Sequence, residues 1–216
     1  MSGIISSTNV HTSNIKSATG NSAITIADDG TVSGVSPIEI ISTNSGQTAQ
    51  SFIDVTLPTN SYYYMFHLVM LGVIQSATED NYMTFMQSGS AVTDNGYYSW
   101  QRIEQNASSN VSNLGGGSNS DSKIRYNVYA IGNAEAEEST LDIKIYGSTD
   151  NSLYTTMMMH RIGEQHDGDQ SISFAGGRLI QKQVNDGVRL SNGGSSTLTH
   201  KAYTLWGYRK TLWPLH

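Results

Sequence analysis

The sequence predicts an all-β fold, a jelly-roll-like antiparallel β-sandwich preceded by an extended N-terminal arm. Three observations lead there. Charged residues make up only 14% of the chain, against roughly 25% in an average soluble domain, so the Glu-, Lys- and Arg-rich surfaces of helices are missing. Gly, Ser, Asn and Thr are over-used, as turn-dense β structure requires. From about residue 51 onward, short runs rich in Tyr, Val, Ile, Phe and Met alternate with Gly/Ser/Asn/Asp clusters at sandwich-like spacing.

Taken in order, strands are expected at about 51–57, 62–73, 82–88, 97–103, 124–131, 139–146, 153–162, 171–175, 187–191 and 200–209. Period-two alternation is clearest in Leu141-Asp-Ile143-Lys-Ile145 and in Tyr203-Thr-Leu205-Trp-Gly207, and it assigns apolar side chains to one face of each strand. The stretch from Asn106 to Ser122, with Leu114-Gly-Gly-Gly117 at its middle, has no period and reads as a mobile loop or an excursion at the edge of the sandwich. Its Asn106-Ala-Ser and Asn110-Val-Ser sequons read as chance matches.

Residues 1–50 differ from the rest. They are polar and short of aromatics, and their one patterned part places Ile24, Ile26 and Val32 around Asp28-Asp29-Gly30, a hairpin signal, with Val35 just beyond. So little apolar surface cannot offset the entropy of ordering the segment. The arm is therefore expected to be ordered against a partner, and Ile24, Ile26, Val32 and Val35 are its interface candidates.

The bulk numbers exclude several classes. There are no cysteines, which removes disulfides, thiolate metal sites and cysteine nucleophiles. A net charge of −6 argues against nucleic acid as a partner, because neutralising phosphates needs a Lys/Arg surplus. The start Met1-Ser2-Gly3-Ile4-Ile5 has neither a basic nor an apolar leader region, so synthesis in the cytoplasm is expected. The apolar run from Tyr62 to Val73 is too short for a bilayer and holds His67, which predicts a buried strand and no membrane insertion.

Candidate chemistry is sparse. His160, His166, Asp167 and Asp169 lie within ten residues and form the best metal-ligand grouping, but the spacing fits neither a helical His pair nor a calcium loop. A solvated turn is the expected reading, with no metal and no cofactor. Glu135, Glu137 and Glu138 are too close in sequence to flank a sugar from different strands, as a glycosidase pair must. No Gly-x-Ser-x-Gly elbow or phosphate-cradling glycine loop occurs, and there is no repeat of the kind that builds a β-helix depolymerase. The chain is therefore not expected to be an enzyme. Tyr97, Tyr98 and Trp100 form an aromatic cluster that reads first as core packing and ordinary surface Tyr and otherwise as a site for stacking on sugars. Met158, between Met157 and Met159, fits a subunit interface or a core buried on both faces of its strand equally, and Trp213 is an interface candidate.

The order of features resembles that of β-sandwich proteins in tailed-bacteriophage virions, especially those of marine and cyanobacterial phages. The resemblance rests on four loose motifs. They are the arm from Asn14 to Gly34, the strand from Tyr62 to Val73 followed by Ala77-Thr-Glu-Asp80, the stretch Asn133-Ala-Glu135-Ala-Glu-Glu-Ser139, and the closing strand Tyr203-Thr-Leu205-Trp-Gly207-Tyr-Arg209. It implies a virion structural protein assembled in the host cytoplasm, exposed on the particle as a tail fibre or adaptor or as a capsid decoration protein. It also implies other virion proteins of the capsid or tail as partners and a homo-oligomer, often a trimer. Host surface polysaccharide is the alternative partner, bound by a receptor-recognition domain of a tail fibre.

Overall fold

The computed structural model describes residues 14–16, 22–26, 32–33, 38–77, 79–94, 96–106, 114–127, 131, 137–164 and 169–210. The chain divides into two units, residues 1–39 and 40–216. In the first, strands β1 (Asn14–Lys16), β2 (Ser22–Ile26) and β3 (Val32–Ser33) form a three-stranded antiparallel sheet. Ile26 pairs with Val32 and Thr25 with Ser33, the register of a hairpin about the Asp-Asp-Gly turn signal. Val35 lies outside the described residues.

The second unit is an antiparallel β-sandwich, and among the described residues there is no helix. Its strands are β4 (Ile38–Asn44), β5 (Gln47–Gln50), β6 (Phe52–Thr56), β7 (Tyr63–Gln75), β8 (Asn81–Gln87), β9 (Ser90–Ala91), β10 (Tyr98–Asn106), β11 (Leu114–Asp121), β12 (Ile124–Arg125), β13 (Ser139–Tyr146), β14 (Tyr154–Glu164), β15 (Gln170–Lys182), β16 (Gly187–Asn192), β17 (Leu198–His200) and β18 (Ala202–Arg209). The large sheet runs β11-β10-β15-β14-β13-β7-β17-β5, with β18 on β7 and β4 on β18; the small sheet runs β12-β8-β16-β6, with β9 on β8.

One hydrophobic core fills the space between the sheets. Phe66, Leu68 and Met70 of β7, Leu141, Ile143 and Ile145 of β13, and Met157 and Met159 of β14 belong to the same cluster as Ile53, Val55, Met83, Phe85, Val188 and Leu190 of the small sheet. The spacing of two between successive members is the strand period, and burying each such side chain contributes about 1.5–3 kcal/mol.

Several bounds differ from the sequence expectations. The boundary at residue 50 cuts into the sandwich: the division falls after Glu39, β4 pairs with β18, and β5 pairs with β17. The supposed loop at 106–122 contains β11, which pairs with β10 from Trp100↔Ser118 to Glu104↔Leu114. Its glycines permit the approach, since a Cβ on Gly117 would stand 2.9 Å from the Trp100 carbonyl oxygen. Of the stretch expected as a strand at 124–131, the described residues show Ile124–Arg125 as β12, whereas β15 runs past Gly176 and Gly177 to Lys182 because β10 and β14 hold it on both sides.

Candidate functional face

The four strands β10, β15, β14 and β13 lie side by side at one end of the large sheet, and their registers define which residues share its outer surface. One cross-strand row is Gln105, Ile172, Ile162 and Thr140; the next is Ile103, Phe174, His160 and Asp142; the third is Gln101, Gly176, Met158 and Lys144. Side chains of these rows point away from the core, because the alternate residues of the same strands are the buried ones.

The outer rows are apolar at their centre. Ile103, Met158, Ile162, Ile172 and Phe174 stand between 39% and 56% exposed. Phe174 meets the His160 ring edge-on, with centroids 4.7 Å apart. A shallow groove of about 510 Å³ runs among Ile103, Phe174, His160 and Met158, with Gly115 and Gly176 along its course. Gly176 is not demanded by the chain's own packing: its φ is not positive, and an added Cβ would make only an ordinary 3.7 Å contact with the Met157 carbonyl oxygen.

The inner face of the same corner is polar. Arg161 is fully buried; its Nε donates to Ser139 Oγ (3.1 Å), its Nη1 to Ser171 Oγ (2.5 Å) and Glu104 Oε1 (3.4 Å), and its Nη2 to the Glu164 carbonyl (3.0 Å). Burial pushes the Arg161 guanidinium below its ordinary pKa, and the Glu104 carboxylate pulls it back. Arg102, also buried, lies over the Trp100 ring at 5.2 Å, with Nε and Nη1 lacking hydrogen-bond partners among the described residues. The usual polarity of a sandwich is thus inverted here, with guanidinium, carboxylate and serine groups inside and large aliphatic and aromatic groups outside.

The sequence candidates fall into distinct places. Met158 is at the centre of the exposed rows. The aromatic cluster is turned largely inward: Tyr98 is fully buried, donating from its hydroxyl to the Val92 carbonyl (2.8 Å) and accepting from the Phe85 amide (2.9 Å). Trp100 is 8% exposed and donates from Nε1 to Asp121 (3.1 Å), while Tyr97 is partly buried against the core. Strand alternation turns Tyr98 and Trp100 inward together. His160 belongs to the outer apolar rows; Asp169 precedes β15; His166, Asp167 and Trp213 lie outside the described residues. Among the described residues no group of three or more His, Asp or Glu is placed to hold a metal. Ile24, Ile26 and Val32 lie in the small three-stranded sheet.

Ile103, Ile162, Ile172 and Phe174 escaped the sequence reading. Their alternation was visible, but period two alone assigns such residues inward. The signal that could have located them is the matched polar set Arg102, Glu104, Arg161, Ser171 and Ser173 at the intervening positions. No family model, curated protein or solved structure matches the chain.

Proposed function

We propose that the chain is a non-enzymatic structural subunit of a larger particle, of the tailed-phage virion kind that its sequence resembles, and that the sandwich joins a neighbour through the outer face of β10, β15, β14 and β13. The observation that carries this reading is the apolar patch of Ile103, Met158, Ile162, Ile172 and Phe174. With ~200 Å² as the full surface of a large side chain, their exposed fractions leave about 500 Å² of contiguous apolar surface, at the upper end of what a solitary monomer exposes.

Support also comes from the inverted polarity. A sheet whose two faces both meet protein has no need to keep its outer side polar. In a virion setting the subunit serves as a tail fibre or adaptor or as a capsid decoration protein, with residues 1–39 as a second attachment element. The test is a Met158→Asp/Phe174→Asp variant of the full chain, with folding checked by circular dichroism and incorporation into particles measured by quantitative mass spectrometry. Incorporation should fall at least tenfold while the fold persists. Normal incorporation would sink the proposal.

A further inference from the structure

The neighbour at this face, we infer, is a second copy of the same chain, stacked sheet on sheet about a two-fold axis that runs across the strands along the row Ile103, Phe174, His160 and Asp142. The inference rests on the docking reading above and names its partner. Three features of the face lead to it.

The first is charge. His160 and Phe174 are directly paired across β14 and β15. Glu164 lies four residues beyond His160 on one side of this row, and Arg178 lies four residues beyond Phe174 on the other, because the strands are antiparallel. Each is about 14 Å from the row along its strand. Glu164 and Asp169 make one end of the strand pair acidic, while Arg178 and Lys182, both against the Tyr154 ring, make the other basic. A two-fold across the strands lays the acidic end of each copy over the basic end of the other. A two-fold along the strands would set Glu164 near Glu164 and Arg178 near Arg178. Opposed like charges at both ends disfavour that arrangement, whereas the axis along the row opposes only Asp142 to its own copy, and His67 Nε2 stands 3.0 Å from that carboxylate.

Shape is the second feature. Ile172 and Gly176 lie two residues to either side of Phe174 on β15, so the same axis places Ile172 of each copy over Gly176 of the other. Gly176 leaves a hollow that the chain's own packing does not require, and Ile172 supplies an exposed knob. Ile162 is carried in the same way over the level of Met158, where the pliable thioether adapts to it.

Area is the third. A standard interface takes ~800 Å² from each partner, of which ~56–65% is apolar. The exposed patch supplies about 500 Å², the apolar share of one side of such an interface. Twisted sheets that pack face to face with nearly aligned strands sit ~10 Å apart, a spacing that interdigitated side chains of this size fill.

The experiment is sedimentation equilibrium of the full chain with charge-reversal variants, at concentrations from about 1 to 100 μM and in low salt. The wild-type chain should approach the mass of a dimer or an even multiple. Glu164→Arg and Arg178→Glu should each weaken association at least tenfold, and combining them should restore it to within about threefold of wild type, since the reversed pair regains its attraction. Gly176→Leu should weaken association similarly while leaving the urea midpoint unchanged. A full chain that stays monomeric at 100 μM overturns the inference, as does a double reversal that fails to rescue. If the monomer result is accompanied by loss of particle incorporation in the Met158→Asp/Phe174→Asp variant, the face docks on a different protein. If incorporation is also normal, the docking reading fails as well.

Discussion

Replacing Arg161 with Met should be among the most destabilising single changes in the sandwich. The substitution nearly conserves side-chain volume but removes the guanidinium that reaches Ser139 Oγ, Ser171 Oγ, the Glu164 carbonyl and Glu104. Both members of the ion pair are fully buried, with side-chain exposures of 0%. Taking away Arg161 removes the guanidinium nearest to a carboxylate in a low-dielectric interior, and breaking a buried pair in this way typically costs about 3–5 kcal/mol. Part of that figure is the desolvation of serine and carbonyl groups that lose their donor. For a domain of this size each kcal/mol lowers Tm by about 2–4 °C, so the expected drop is about 6–20 °C. The decisive comparison is with the double variant Glu104→Gln/Arg161→Met, in which the stranded charge is gone. Urea denaturation followed by tryptophan fluorescence should show the double variant more stable than Arg161→Met alone. A single-variant loss under about 1 kcal/mol, or a double variant that is less stable still, would refute the view that a buried charge pair organises this corner.

Two further predictions concern buried polar groups in the core. His200 is buried, Nδ1 and Nε2 both lack hydrogen-bond partners among the described residues, and burial holds its pKa below the ordinary 6.5. The unfolded chain therefore binds this proton more readily than the folded one, so the contribution to stability is intact above about pH 6.5 and is lost as pH falls from there toward the depressed folded value. Thermal melts between pH 7.5 and 5 should show this loss in the wild type and a flatter profile in His200→Phe; equal slopes would show that His200 does not titrate on unfolding. Tyr98→Phe removes a hydroxyl that joins the Phe85 amide to the Val92 carbonyl. Leaving that buried amide unmet should cost about 1–3 kcal/mol in urea denaturation, and an unchanged midpoint would mean that water enters to replace the hydroxyl.

Much of the architecture was legible before any coordinates. The expected strand at 139–146 coincides with β13, and the cores of β7, β8, β14, β16 and β18 fall where alternating runs were read. Their apolar runs and alternation mark where a strand lies, and in β13, where Leu141, Ile143 and Ile145 are all buried, they mark its inner face as well. Elements whose ladder depends on neighbours were not legible. β11 is a run of Gly, Ser and Asn with no face to recognise, and it exists because β10 offers it hydrogen-bonding partners. β15 continues through two glycines for the same reason.

By itself, the sequence determined an all-β sandwich with a distinct N-terminal segment and a chemistry poor in metal ligands and nucleophiles, because composition and period act locally. Only the tertiary structure decided which face of each strand is the inside. At one end of β10, β14 and β15 the polar members of the alternation are turned inward, where Arg161, Glu104, Ser139 and Ser171 satisfy one another across four strands. That mutual satisfaction makes the interior polar corner tolerable and leaves Ile103, Met158, Ile162, Ile172 and Phe174 on the outside. Hydrophobic pattern alone favours the opposite arrangement, since it cannot count hydrogen bonds between strands whose neighbours it does not know.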